Sequence, residues 1–220
     1  MIKIENTNVV GFEDAIRGMR NPMNSWDKSD SHFVYDYNSF ERHDARYIDE
    51  DIGKNDYELM MKLSKAGSVH AKFRRMIVVY VDITAPLYWW KEFDTYKVGT
   101  VANSCSKMHT LAKRDLNLSD FSIDHLYGDY NLSIFKDYIT QINTMRKKYV
   151  DNPEDKDSWR IMLEMLPVSF NQKRTLSLNY EVLKNMYNAR KNHKLQEWRD
   201  FCAWIETLPY SYLITSSQIW

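Results

Sequence analysis

Residues 74–94, RRMIVVYVDITAPLYWWKEFD, do most to limit what this chain can become. The stretch RRMIVVYVDIT (74–84) is crowded with β-branched and aromatic side chains and reads as a strand. Pro86 is then well placed to start a helix, PLYWWKEFD, because its missing N–H is one that a first helical residue does not need. A strand that runs straight into a helix commits the chain to packing the two against each other.

The flanking sequence supplies mostly helices. Phe12, Ala15, Ile16 and Met19 begin a short helical pattern before the turn-rich RNPMNSWDKSDS. Asn55 is placed to cap a helix through about Ala66, with Leu59, Met60 and Leu63 on one face and Gly67 as its stop. Asn131 is placed to cap a long helix to about Tyr149, striped by Leu132, Phe135, Ile139, Ile142 and Met145. Asp151-Asn152-Pro153 breaks it, and a second helix runs to about Met165 before Pro167. TLSLN (175–179) alternates like a short strand, Asn179 caps the next helix, and LQEWRDFCAWIE closes the pattern. Helices mixed with few strands predict an α+β or α/β fold.

The chain has 220 residues and no internal repeat, low-complexity tract or Gly/Ser linker, so one domain over 1–220 is expected. Thirty basic residues balance thirty acidic ones, which removes the electrostatic footprint of a nucleic-acid binder. Two cysteines, Cys105 and Cys202, make no disulfide framework, and no clustered Cys/His set suggests zinc. The acidic, broken N-terminus is unlike a signal peptide and no apolar run reaches a membrane span, so a cytoplasmic protein is expected. Aromatic residues reach 14%, which serves core and interface packing or stacking surfaces for a flat ligand.

The stretch TYKVGTVANSCSK (95–107) is small, hydroxyl-rich and doubly basic. It reads as a solvated loop or as a backbone-and-hydroxyl cradle for phosphates. Cys105, between two serines, is a small filler or a thiol activated by Lys107. Further on, Asn179, Asn185 and Arg190 form N-x5-N-x4-R, with Gln196 six residues later. Asn179 and Arg190 lie about three turns apart and can share a face. From spacing alone, Asn179 as a plain cap and Arg190 as a charge suited to a helix C-terminus is the simpler account.

Taken in order, strand, proline-led helix, polar segment, Leu166-Pro167, second strand and N-x5-N-x4-R helix, the chain resembles the flavin-dependent thymidylate synthases over roughly residues 50–205. The resemblance implies a central, mostly antiparallel sheet flanked by helices, the thymidylate synthase-complementing-protein fold, with residues 1–50 a divergent N-terminal elaboration. It implies FAD as cofactor, dUMP as substrate, NADPH and methylenetetrahydrofolate as co-substrates, and a homotetramer with shared sites. The family signature R-H-R-x-x-S-x-N-E-x-S-x-R-Y falls without gaps on Thr95-Tyr96-Lys97, Thr100, Ala102-Asn103, Cys105 and Lys107-Met108. The Arg-Gln pair of the preceding helix becomes Lys91-Glu92, and an arginine before the proline becomes Leu163, with Arg160 one turn earlier.

Carried over residue by residue, the resemblance assigns Arg190 to the nucleotide phosphate, with Ser104, Cys105, Ser106 and Lys107 around the nucleotide. Thr95, Tyr96, Lys97, Asn103, Asn179 and Asn185 line the flavin. Lys97 and Lys107 keep a positive charge but lose the planar fork of arginine. Arg20 and Arg42, outside the pattern, are either replacements for the lost arginines or plain surface charges. A non-catalytic nucleotide-binding or assembly protein that keeps the fold is the alternative.

Overall fold

Val79, Val81, Ile83 and Ala85 alternate along one strand and all four are buried, so that strand has a face on the core. In the computed structural model, which describes residues 2–35 and 47–216, it lies in the middle of the molecule. In chain order the elements are β1 (Lys3–Val10), α1 (Phe12–Arg20), β2 (His32–Tyr35), β3 (Tyr47–Asp51), α2 (Lys54–Lys65), β4 (Val78–Pro86), α3 (Leu87–Phe93), β5 (Thr100–Ser104), α4 (Lys107–Thr110), α5 (Asp129–Asp151), α6 (Lys156–Glu164), β6 (Asn171–Asn179), α7 (Tyr180–Arg190), α8 (Gln196–Glu206) and α9 (Tyr212–Thr215). Four strands form one sheet in the order β1-β4-β6-β5, with every pairing antiparallel. β2 and β3 pair separately.

Helices cover one face of the sheet. Trp89, Trp90, Phe93, Trp198 and Phe201 form an aromatic block beneath Val79, Val81, Leu176 and Leu178. Trp89 and Trp198 centroids are 4.8 Å apart, within the range of favourable ring pairs. The other face carries polar side chains: Asp82 accepts from Asn6 and Thr175 at 2.9 and 2.6 Å. A second apolar cluster, Leu111, Leu116, Phe121, Ile139, Ile142 and Met162, lies where α5 and α6 pack on the segment after β5. Ile139 and Ile142 are the expected stripe of the long helix, which starts at Asp129, before the anticipated cap Asn131.

Other boundaries also move for identifiable reasons. The expected strand at 74–84 begins only at Val78, because Lys72–Arg75 form a 3-10 turn that buries Arg74 against Glu181, Nε to Oε2 2.7 Å. Asn55 does not cap α2; its backbone N–H donates to Asp30, 25 positions back in the chain, at 2.9 Å. The strand expected at 175–179 begins at Asn171, and its polar end is held by β4 on one side and by Arg174, whose guanidinium lies 4.2 Å from the Trp90 ring. Residues 3–20 supply the edge strand β1 and the buried face Phe12, Ala15, Ile16 and Met19 of α1, so this part of the N-terminal segment belongs to sheet and core.

Lys184 is buried on α7 beside Arg74 and Glu181. Burial, then the Arg74 charge, pushes its ammonium below the ordinary lysine value, against the pull of Glu181. Lys184→Met keeps the length and removes the desolvated charge. Thermal or urea unfolding should show a gain of about 1 kcal/mol.

Candidate functional site

α7 begins and ends at residues the sequence singled out. The Asn179 side chain accepts the Val182 N–H at 2.9 Å, which caps the helix. Its amide nitrogen lies under Gly99, whose φ is +80°; a β-carbon there would sit 2.6 Å from that nitrogen. Only glycine suits both the left-handed backbone and the close approach. Gly99→Ala should therefore lower stability by about 2 kcal/mol, read as a drop in the urea midpoint, through loss of cap and turn together.

At the other end of α7, Arg190 is held by Glu92, Tyr96 and Trp198. Its Nη1 donates to Glu92 Oε2 at 2.7 Å and its Nε to the Tyr96 hydroxyl at 2.9 Å. The guanidinium carbon lies 4.7 Å from the Trp198 ring and 5.6 Å from the Tyr96 ring. Glu92 Oε2 also accepts the Trp198 indole N–H at 2.9 Å and lies 3.5 Å from His193 Nε2. The result is a guanidinium in an aromatic cage with a built-in carboxylate counter-ion, favourable through both cation–π and charge-assisted hydrogen bonds.

The segment 95–107 is not a loop throughout: Thr100–Ser104 form β5, an edge strand paired to β6 from Thr100↔Leu178 to Ser104↔Arg174. Backbone pairing holds it, since Val101, Ala102, Asn103 and Ser104 are all exposed. The hydroxyls of Thr95 and Thr100 bond back to the chain, donating to the carbonyls of Glu92 and Tyr96 at 2.7 and 2.5 Å. Lys97 is exposed, and Tyr96 and Lys97 border a shallow hollow of about 310 Å³ shared with Phe93, Asp94, Thr100 and Ala102.

Beyond β5 the chain forms a second cationic place. Cys105, Lys107, Thr110, Arg114, Gln172 and Lys173 line a cleft of about 270 Å³ between the sheet end and the second apolar cluster. Burial, and after it Arg174, pushes the Lys107 ammonium below its usual value. Arg114 is paired with Asp120 at 2.8 Å, and Lys173 with Asp82 at 3.0 Å. Cys105 is exposed, with its thiol 3.8 Å from the Thr110 hydroxyl. Ser106 makes no side-chain cap on the short α4; its carbonyl accepts the Thr110 N–H at 3.1 Å and the Thr110 hydroxyl at 2.7 Å.

The sequence-derived residues thus fall into two groups at opposite ends of β5, whose four residue steps span about 13 Å. Arg190, Tyr96 and Lys97 lie toward one end, with Asn179 against Gly99 but the length of α7 away from Arg190; Cys105, Ser106 and Lys107 lie at the other. Asn185 is exposed on α7 and lies roughly 120° around the helix from Asn179, so the three motif residues do not share one face. Gln196 opens α8 and donates to Asp200 at 2.6 Å. Arg160 pairs with Glu164 on the surface of α6 at 3.0 Å. Arg20 is neither a surface charge nor free for a ligand, since Asp56, Ser25 and Lys28 take its three nitrogens. Arg42 lies outside the described residues. Glu92, Trp198 and His193 were not anticipated as partners of Arg190; the one available signal was an acidic residue where the resembling family has glutamine.

The donor set suits a flavin in kind: an exposed ammonium at Lys97 for phosphate, a stacking ring at Tyr96, and exposed amides at Asn103 and Asn185. Among the described residues no group of three His, Cys, Asp or Glu is placed to hold a metal ion. No helix there is long and apolar enough to cross a membrane.

The sequence matches no protein-family model and no curated protein. The structure is similar along its whole length to thymidylate synthase X (ThyX) from Helicobacter pylori with FAD and dUMP, at a TM-score of 0.68 and 16% identity, covering 100% of both chains. Another structure of the flavin-dependent thymidylate synthase ThyX from Helicobacter pylori, also complexed with FAD and dUMP, gives 0.67 at 16% identity over 97% of this chain and 98% of that one. The UMP/dUMP methylase PolB from Streptomyces cacaoi bound with 5-Br dUMP gives 0.58 at 13% identity over 98% and 95%. The chain therefore has the fold of the flavin-dependent thymidylate synthases, with an antiparallel four-stranded sheet flanked by helices as its centre.

Proposed function

We propose that this protein binds a flavin and a pyrimidine nucleotide and carries out the reductive methylation of dUMP to dTMP with methylenetetrahydrofolate and NADPH. The observation that carries the reading is the placement of Arg190 at the end of α7, caged by Tyr96 and Trp198, in a fold shared over its full length with structures that hold FAD and dUMP. Arg190 holds the nucleotide phosphate. Lys97 faces a flavin phosphate, and Tyr96, Asn103 and Asn179 border the ring; Asn185 lies on another face of α7. A bound flavin supplies the hydride chemistry, so the chain's own part is binding, orientation and exclusion of water.

The distance along β5 favours a homotetramer with shared sites. Arg190 and the Ser104–Lys107 group lie toward opposite ends of β5 in the same chain. The group around Lys107 in one subunit then completes the site around Arg190 in another. The second reading, a nucleotide-binding or assembly protein without turnover, is favoured by the worn signature, above all Thr95-Tyr96-Lys97 in place of Arg-His-Arg. Incubation with FAD, NADPH, methylenetetrahydrofolate and dUMP, with dTMP followed by chromatography, separates the two. Formation of dTMP supports the enzyme; nucleotide binding with no dTMP supports the second reading.

A further inference from the structure

Arg190 does not present a bare positive charge. Glu92 Oε2 lies 2.7 Å from its Nη1 and is itself anchored by the Trp198 indole N–H at 2.9 Å. Trp198 is fully buried, so that anchor is fixed in the core. The carboxylate therefore stays beside the guanidinium when a ligand arrives, and the pair has zero formal charge. The other Glu92 neighbour, His193, comes no closer than 3.5 Å.

We propose that Glu92 is a specificity-determining residue that sets how strongly the Arg190 site prefers anionic over neutral nucleotides. The inference rests on the reading that Arg190 meets the nucleotide phosphate. The potential at the ligand is the sum of an attractive contribution from Arg190 and a repulsive one from Glu92, and their effect on binding scales with ligand charge. With both present, adding negative charge to the ligand gains little from this pair. With a glutamine at 92 the site carries one net positive charge, and each negative charge on the ligand is rewarded. A side-chain amide oxygen also still accepts the Trp198 N–H, so the cage survives the change.

The test is a charge series measured by calorimetry at pH 8 and low salt, where a phosphate monoester is a dianion. The ligands are deoxyuridine, the methyl phosphate ester of dUMP, and dUMP, with charges of zero, minus one and minus two. Glu92→Gln is expected to leave deoxyuridine binding unchanged and to tighten the methyl ester about fivefold, with a larger gain for dUMP, shrinking at 0.5 M salt. The double variant Glu92→Gln/Arg190→Gln should lose the gain. Equal gains for all three ligands, or none, overturn the proposal while leaving Arg190 in its role. If Arg190→Gln alone leaves dUMP binding unchanged, the underlying reading fails and the proposal with it. A wild type that binds none of the three supports the proposal if Glu92→Gln binds dUMP, and overturns it if that variant also binds nothing.

Discussion

Asp56→Ala is expected to lower the unfolding free energy by about 3–5 kcal/mol, the range for breaking a buried ion pair by removing one partner. Asp56 is 0% exposed and Arg20 4%, with Arg20 Nε 2.5 Å from Asp56 Oδ1. The second carboxylate oxygen accepts from the Ser29 and Ser31 hydroxyls, both at 2.7 Å, and from the backbone N–H groups of Asp30 and Ser31. One carboxylate thus ties the turn after α1 to the start of α2. The alanine variant leaves the Arg20 charge buried with only the Ser25 and Lys28 carbonyls. Loss of this size is a large share of the stability of an ordinary domain. The urea midpoint at pH 7 reads it.

The same residue fixes a pH dependence. Burial alone raises the Asp56 pKa, but the hydrogen bonds from Ser31, Ser29, Arg20 and Asp30 outweigh it and hold the carboxyl below its usual 3.8. A lowered folded-state value means stability that is fully present above 3.8 and lost as the pH falls through the folded-state value. The gap between wild type and Asp56→Ala should accordingly be widest near neutrality and narrow in acid below that point.

Arg190→Gln is expected to weaken dUMP binding about 100-fold while the protein stays folded, since charge-assisted hydrogen bonds contribute about 1.5–3 kcal/mol each. The loss has two parts. The phosphate loses its guanidinium partner, and Glu92, no longer paired, faces the ligand as a bare carboxylate. Calorimetric titration with dUMP measures the loss, and the circular dichroism spectrum checks the fold. An unchanged affinity would move the phosphate away from α7.

The parts of this account that were legible in the sequence depend on neighbours along the chain. The Asn179 cap needs only the next three residues, and Pro86 marks the step from β4 to α3, although as the last strand residue and not the first helical one. Ile139 and Ile142 announce a buried helix face by spacing. What was illegible depends on partners far apart in sequence. Glu92 and Arg190 are 98 positions apart, and Arg20 and Asp56 are 36 apart, so nothing local marks either pair. β5 was hidden for a different reason: its exposed side chains carry no hydrophobic alternation, and only pairing to β6 makes it a strand. The candidate residues were named individually, yet their division between two ends of β5 needed coordinates.

The most direct test of the central claim is the visible absorption spectrum of the purified protein after incubation with FAD and removal of excess by gel filtration, recorded before and after dUMP is added. The account predicts a retained flavin band that shifts with dUMP in the wild type and does not shift in Arg190→Gln. A folded protein that retains no flavin under these conditions would contradict it, and the flavin-free nucleotide-binding or assembly role would replace the enzyme.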